Sequence, residues 1–350
     1  GGQYKSISSD EGETWSEPVA INEIDGNCVD SDSTVEGAVP AVGPNGEIYV
    51  SWAGPAGLVF DRSSDGGNSW LDHDIFVSDL PGGWDIDIPG VVRCDGMPVT
   101  CCDLSQSPYH GTIYINWSDQ RNGTDDTDIW VVKSTDSGNT WSAPKRVNDD
   151  QPGNQQFFTW MTIDQANGTL WFVFYDRRNY TDNQTDVYLA YSNDGGETFT
   201  NIKISESPFT NKTNVFFGDY VNITAYNNIV RPIWTRQENN KTFVYTAIMD
   251  TLFMDLGNHP EAPFSVVGNY PNPFTDVSFI SFKLRKETTI SLSVYDLLGK
   301  KVYTLINNKV MPAGKYTETF DRNVMHLKAG IYFYRLSGNK LDRTGKIIIN

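Results

Sequence analysis

Four copies of one short turn motif, evenly spread, restrict the fold of this chain more than any other feature. They read Ser8-x-Asp10-x-Gly12-x-Thr14-Trp15, Ser63-x-Asp65-x-Gly67-x-Ser69-Trp70, Ser134-x-Asp136-x-Gly138-x-Thr140-Trp141 and Ser192-x-Asp194-x-Gly196-x-Thr198-Phe199. Successive copies stand about 55–70 residues apart, the period of an architecture whose units are small antiparallel sheets. Asp bonds local N–H groups and Gly accepts positive φ, so the motif predicts a hairpin turn. The hydroxyls tie down further backbone, and the aromatic is expected to pack back onto the sheet.

Between copies a second pattern recurs: an apolar strand, a turn, a strand ending in an aromatic, a polar loop, and the strand carrying the motif. Val39 to Trp52 with Leu58-Val-Phe60 is one example, and His110 to Trp117 with Ile129-Trp-Val-Val132 another. Met161 to Phe174 with Val187-Tyr-Leu-Ala190 is a third, and Tyr220 to Ala247 supplies three strands without the motif. Alternating apolar and polar positions suit half-buried strands, and no long stretch has helical periodicity. The first unit holds only the last two strands of a sheet, so further blades are expected upstream, in agreement with the missing initiator Met and signal peptide.

The motif resembles the Asp-box, or bacterial neuraminidase, repeat of sialidases and many secreted proteins. That resemblance implies an all-β fold: a sialidase-like Asp-box β-propeller, partial, with about four to five blades visible. It assigns residues 1–255 to the propeller. It also implies that Asp10, Asp65, Asp136 and Asp194 are structural, because the boxes of that family lie away from its catalytic centre.

From about residue 264 the character changes. Asn269-Tyr-Pro-Asn-Pro-Phe274, Ile290 to Gly299, Leu327 to Leu336 and Lys346-Ile-Ile-Ile349 follow in order. Short alternating strands with Gly turns predict a small β-sandwich over 264–350. This segment resembles the type A sorting domain of the type IX secretion system of Bacteroidetes. The resemblance implies that the secretion machinery is a partner and that the protein is secreted or attached to the outer-membrane surface. A carbohydrate-binding role for this domain is the competing reading.

Charge separates the two parts. From residue 263 onward there are 13 Lys and Arg against 6 Asp and Glu, a net of +7, leaving 14 against 38, or −24, upstream. An acidic body argues against nucleic acid or an anionic membrane as partner. No run of about 18 apolar residues is present, so no transmembrane segment is expected. Cys28, Cys94, Cys101 and Cys102 lack zinc spacing and are expected to form one or two disulfides, Cys94 or Cys28 with Cys101 or Cys102, free buried thiols being the alternative.

Loops joining second to third strands, and blade to blade, share one face of a propeller. They carry the candidate ligand-binding residues Asp119, Arg121, Trp160, Asp176, Arg177, Arg178, Asp219, Tyr220 and Arg236. The repeat of Trp117-Ser-Asp119-Gln-Arg121 in Phe174-Tyr-Asp176-Arg177 reads either as a structural clamp or as ligand contact. Resemblance to sialidases implies three arginines on a substrate carboxylate, a Tyr–Glu nucleophile pair, an Asp acid and an Arg-Ile-Pro element. No Arg-Ile-Pro occurs, and catalytic residues cannot be assigned. No metal site is expected, except that Asp30-Ser-Asp32, Asp85-Ile-Asp87 and Asp125-Asp126-Thr-Asp128 could hold a structural Ca²⁺. The expected function is a secreted or cell-surface propeller meeting a glycan or glycoprotein, with a sialidase-like glycoside hydrolase as alternative.

Overall fold

The computed structural model describes residues 1–27, 32–212, 216–238, 241–247, 249–250, 264–297, 299–338 and 341–350, and these contain strands and turns but no helix. They divide into two compact units, Gly1–Ile248 and Met249–Asn350. The expected domain boundary, between 255 and 264, lies outside the described residues.

The first unit is a series of antiparallel meanders. A two-stranded sheet, β1 (Tyr4–Lys5) and β2 (Val19–Ala20), precedes three four-stranded paths. These are β3 (Glu36–Val42), β4 (Ile48–Gly54), β5 (Gly57–Ser63) and β6 (Ile75–Ser78); β7 (Val99–Cys102), β8 (Ile113–Asp119), β9 (Asp128–Ser134) and β10 (Lys145–Arg146); and β11 (Gln156–Asp164), β12 (Thr169–Asp176), β13 (Gln184–Ser192) and β14 (Thr200–Lys203). A short β15 (Phe209–Thr210) adds to β13, and β16 (Asn222–Tyr226), β17 (Ile229–Glu238) and β18 (Lys241–Thr246) form the last sheet. The first strands lie side by side in chain order, β3 by β7, β7 by β11 and β11 by β16. This is propeller geometry: strands pair within a blade, and blades stack face to face around the inner strands.

The stacking explains why second strands read as unbroken apolar runs. All seven residues of β8 are buried. Ile113, Ile115 and Trp117 join Tyr49, Leu58 and Phe60 of the preceding blade, while Tyr114 faces Met161, Leu170 and Phe172 of the following one. Side chains alternate across a strand, so a blade with neighbours on both faces needs apolar groups at both parities.

The boxes occupy the turns between β1 and β2, β5 and β6, β9 and β10, and β13 and β14, and their chemistry is local. In the third, Ser134 Oγ donates to Asp136 Oδ1 at 2.7 Å and accepts the Gly138 N–H at 2.8 Å. Thr140 gives its N–H to Oδ1 at 2.9 Å and its hydroxyl to Oδ2 at 2.6 Å. The other three repeat this circuit. Hydrogen bonds from the hydroxyl and amide of residue 69 or 140 hold the Asp65 and Asp136 carboxyls down to about 2. Gly138 needs its φ of 88°, and the Phe60 ring leaves no room for a Cβ there. Phe60 in turn meets Trp141 edge-on at 5.1 Å. Trp15, however, is 66% exposed, so the first box aromatic does not pack as expected.

The cysteines correct an expectation. Cys94, Cys101 and Cys102 are free thiols, and Cys28 lies outside the described residues. Adjacent on β7, Cys101 and Cys102 point to opposite faces, Cys102 into one inter-blade core and Cys101 against the next. Burial pushes both thiols up to about 12.

In the second unit, β19 (Met249–Asp250) is followed by β20 (Phe264–Tyr270), β21 (Val277–Leu284), β22 (Thr288–Tyr295), β23 (Lys301–Met311), β24 (Gly314–Asp321), β25 (Gly330–Gly338) and β26 (Leu341–Ile349). The orders β20-β21-β24 and β23-β22-β25-β26 make two sheets. Ile280, Phe282 and Phe320 from one pack with Leu292, Val294 and Leu336 from the other, a β-sandwich core.

Candidate functional site

A cleft of about 320 Å³ opens where the inner strands begin. Gly37 to Val39 of β3, Met97 to Val99 leading into β7, Thr159 and Trp160 of β11, and Asp219 and Tyr220 before β16 line it, with Glu36 and Asp95. Four blades contribute, with Gln3 ahead of β1 beside them, so the cleft exists only in the assembled arc. A second hollow of about 410 Å³ shares Trp160 and Tyr220 and runs on over Ile233 and Val244.

A β-bulge places the Trp160 side chain. The register between β11 and β12 slips between Phe157 and Trp160, and Phe158 takes a left-handed φ of 48°. Bulges re-aim side chains beside sites. Here the buried rings of Phe157, Tyr175 and Phe217 hold Phe158 in that conformation. Trp160 then meets Tyr220 edge-to-face at 6.2 Å and 87°, with Tyr220 59% exposed.

Carboxyl groups surround this aromatic pair. Asp219 pairs with Arg93 at 3.3 Å. Asp95 is buried on the hairpin that closes through the Ile86–Cys94 and Gly96–Trp84 backbone bonds, and its Oδ2 has no hydrogen-bond partner. Burial, followed by the Asp219 charge, pushes the Asp95 carboxyl up to about 7. Burial and then the charges of Asp95, Asp219 and Glu36 raise the Tyr220 phenol, with Arg93 opposing. These five groups therefore share one field.

Of the residues expected at a site, Trp160, Asp219 and Tyr220 come together here. The others are committed elsewhere. Asp119 is fully buried, takes Arg121 Nε at 2.9 and 3.1 Å and accepts the Trp117 indole at 2.7 Å, while Arg121 lies 4.7 Å over Trp130. Asp176 accepts Arg178 Nε at 2.8 Å, and Arg178 also pairs with Asp149 and lies 4.3 Å over Tyr188. The counterpart of Arg121 is thus Arg178, and not Arg177 as the sequence match had it. Burial pushes the Asp176 carboxyl up to about 6 despite the pairing. Arg236 pairs with Glu238 at 2.6 Å and lies 5.5 Å over Tyr245, the same clamp with its charges exchanged. Arg177 is buried, donating to Pro89 O at 2.7 Å and Thr185 Oγ1 at 3.1 Å.

Asp95 and Glu36 are functional candidates that sequence reading missed. Asp95 stands in a blade-to-blade segment and Glu36 opens β3 just after another, but carboxylates fill those segments and burial is not written in them. Among the described residues no group of three or more His, Cys, Asp or Glu is placed to hold a metal ion. Asp32 accepts the Asp85 N–H at 2.9 Å and Asp126 accepts the Gly153 N–H at 2.7 Å, while Asp30 lies outside the described residues.

Comparison with known proteins adds to these observations. No curated protein matches the chain. Among solved structures, a protein of unknown function from Dyadobacter fermentans DSM 18053 is similar at 16% identity and a TM-score of 0.44, covering 91% of this chain and 83% of its own. The GH93 α-L-arabinofuranosidase of Fusarium graminearum, solved with arabinobiose, aligns at 12% identity and 0.42, covering 94% and 97%. The NanB sialidase of Streptococcus pneumoniae aligns at 13% and 0.39, covering 70% and 34%. Likenesses this distant say nothing of activity. The family model described as the secretion system C-terminal sorting domain matches residues 269–350, most of the second unit. Among the described residues, no helix is long and apolar enough to cross a membrane. The chain thus carries a sorting domain at its C-terminal end and is an exported protein, secreted or displayed at the cell surface.

Proposed function

We propose that the first unit is an Asp-box propeller that binds glycans of other molecules outside the cell, at the cleft formed by its inner strands. The observation that carries this reading is the Trp160–Tyr220 pair bordered by Asp95, Asp219 and Glu36. A saccharide offers apolar C–H faces and a rim of hydroxyl donors. An aromatic platform beside unsatisfied acceptors complements both, since ligand sites combine apolar walls with a few placed polar groups. Export by the sorting domain brings the cleft to where glycans are.

Glycan-array screening followed by titration calorimetry tests the reading. Trp160→Ala is expected to weaken the best glycan at least tenfold, about 1.4 kcal/mol. Silence across the array, or a Trp160→Ala variant that binds as tightly as the parent, would remove it.

One observation favours glycoside hydrolysis as a second reading. Asp95, protonated to about 7 beside Asp219, has the protonation a general acid needs. Sialidase chemistry is less favoured, because Arg93 approaches the cleft carboxylates while Arg121, Arg178 and Arg236 stand in clamps. Turnover of a fluorogenic glycoside, lost in Asp95→Asn, would select this reading over simple binding.

A further inference from the structure

The balance of groups at the cleft says more about its ligand. Three carboxyls, Asp95, Asp219 and Glu36, face one guanidinium, Arg93. Asp219 has Arg93 at 3.3 Å, whereas Asp95, 5% exposed, lines the cleft and keeps a buried Oδ2 that has no hydrogen-bond partner. A buried acceptor left unmatched is costly and marks a place where a ligand donor is missing. A sugar hydroxyl could donate to it but would leave the excess negative charge uncompensated. An acidic sugar would add like charge in a partly dehydrated space, which is unfavourable. An ammonium group supplies both the donor and the charge, and the faces of Trp160 and Tyr220 attract cations in addition. A metal ion fits less well, since among the described residues no three ligating groups converge. The net charge of −24 upstream of residue 263 favours arrival of a cation from solution.

We propose that the cleft selects glycans bearing a free primary amine, the ammonium pairing with Asp95 and Asp219 while the sugar ring lies against Trp160. The inference rests on the glycan reading above and narrows it to amino sugars that are not N-acetylated.

The experiment compares three probes on the full chain near neutral pH: a glucosamine tetramer, its fully N-acetylated form, and trilysine. The amine form is expected to bind at least tenfold tighter than the acetylated form, and trilysine at least tenfold weaker than the tetramer for want of a ring on Trp160. Asp95→Asn and Asp219→Asn, near-isosteric changes checked for folding by melting temperature, should each erase most of the amine preference, read as the ratio of the two tetramer affinities. Equal or tighter binding of the acetylated form, still abolished by Trp160→Ala, would overturn amine selectivity and leave the glycan reading standing. Trilysine binding as tightly as the tetramer would overturn the saccharide part and point to a basic peptide. Failure of both tetramers and of the wider array would overturn both inferences together.

Discussion

At the scale of single residues, Asp95 carries the sharpest consequence. Its carboxyl titrates at about 7 in the fold against 3.8 in the open chain, with Asp219, Asp85 and Arg93 as charged neighbours and the Met97 amide as donor. The folded state therefore holds a proton that the unfolded state has released between those values. The associated stability is complete below about pH 4 and is lost as pH rises through 7. Asp95→Asn should thus raise stability at pH 8 by up to about 4 kcal/mol, with little gain at pH 4, as read by urea unfolding at both values. Equal effects at both pH values would show that the ionised carboxyl is not the strained form. Legibility at this scale was uneven. Trp160, Asp219 and Tyr220 were marked in the sequence by residue type and expected loop position, and the fold brings them together, Trp160 from within β11. Asp95 was not, because its burial depends on Trp84, 50 residues from Thr34, whose carbonyl accepts the Trp84 indole N–H at 3.2 Å.

At the scale of elements, the box and the clamp are separate devices. The hydrogen-bond circuit of the box closes within seven residues and was legible from the motif, whereas the packing of its aromatic was not, as the exposed Trp15 shows. Asp136→Ala removes three hydrogen bonds and should cost about 1–3 kcal/mol, with glycan affinity unchanged. A loss of affinity in that variant would tie the box face to the site. The clamp was legible as a repeat, but the match stopped one residue short of its arginine: Arg178 stands two residues after Asp176, as Arg121 does after Asp119, and it takes the pairing and lies over Tyr188. The exchanged pair Arg236–Glu238 shows that the fold asks for opposite charges at these two positions rather than for a particular order. Exchange has a visible cost: Trp117 gives its indole N–H to Asp119, whereas the indole nitrogen of Trp234 has no hydrogen-bond partner. Asp176→Ala takes from Arg178 its fully buried carboxylate while Asp149 stays paired with it, and should destabilise by about 1–3 kcal/mol. Asp176→Arg with Arg178→Asp should recover at least about 1 kcal/mol over the sum of the single changes in a double-mutant cycle.

At the scale of the molecule, two sets of carboxyls bound the pH range of the first unit. Asp61, Asp95 and Asp176, raised by burial to about 6, 7 and 6, favour the fold less as pH rises past 4. Asp65 and Asp136, lowered to about 2 by their hydrogen bonds, favour it less as pH falls below 4. The melting temperature should accordingly peak between about pH 4 and 6, and a maximum above pH 7 would mean the buried acids are ionised at little cost. Architecture at this level was legible from repeat spacing, because each blade repeats the same strand order. The cleft was not, since it belongs to no single blade.

Three ties between a blade and the box of the next run the same way along the chain. Lys5 reaches the Gly67 carbonyl of the second box, Arg62 the Ser137 carbonyl of the third at 2.5 Å, and Lys133 the Gly195 carbonyl of the fourth at 2.9 Å. Each of the last three box turns is finished by a cation from the blade before it. A cut or duplication at the joint between one cation and the next turn should therefore be tolerated better than one within a blade. Lineages of chains built this way would gain and lose modules whole, and the cleft, fed by four of them, would be remade with every such change.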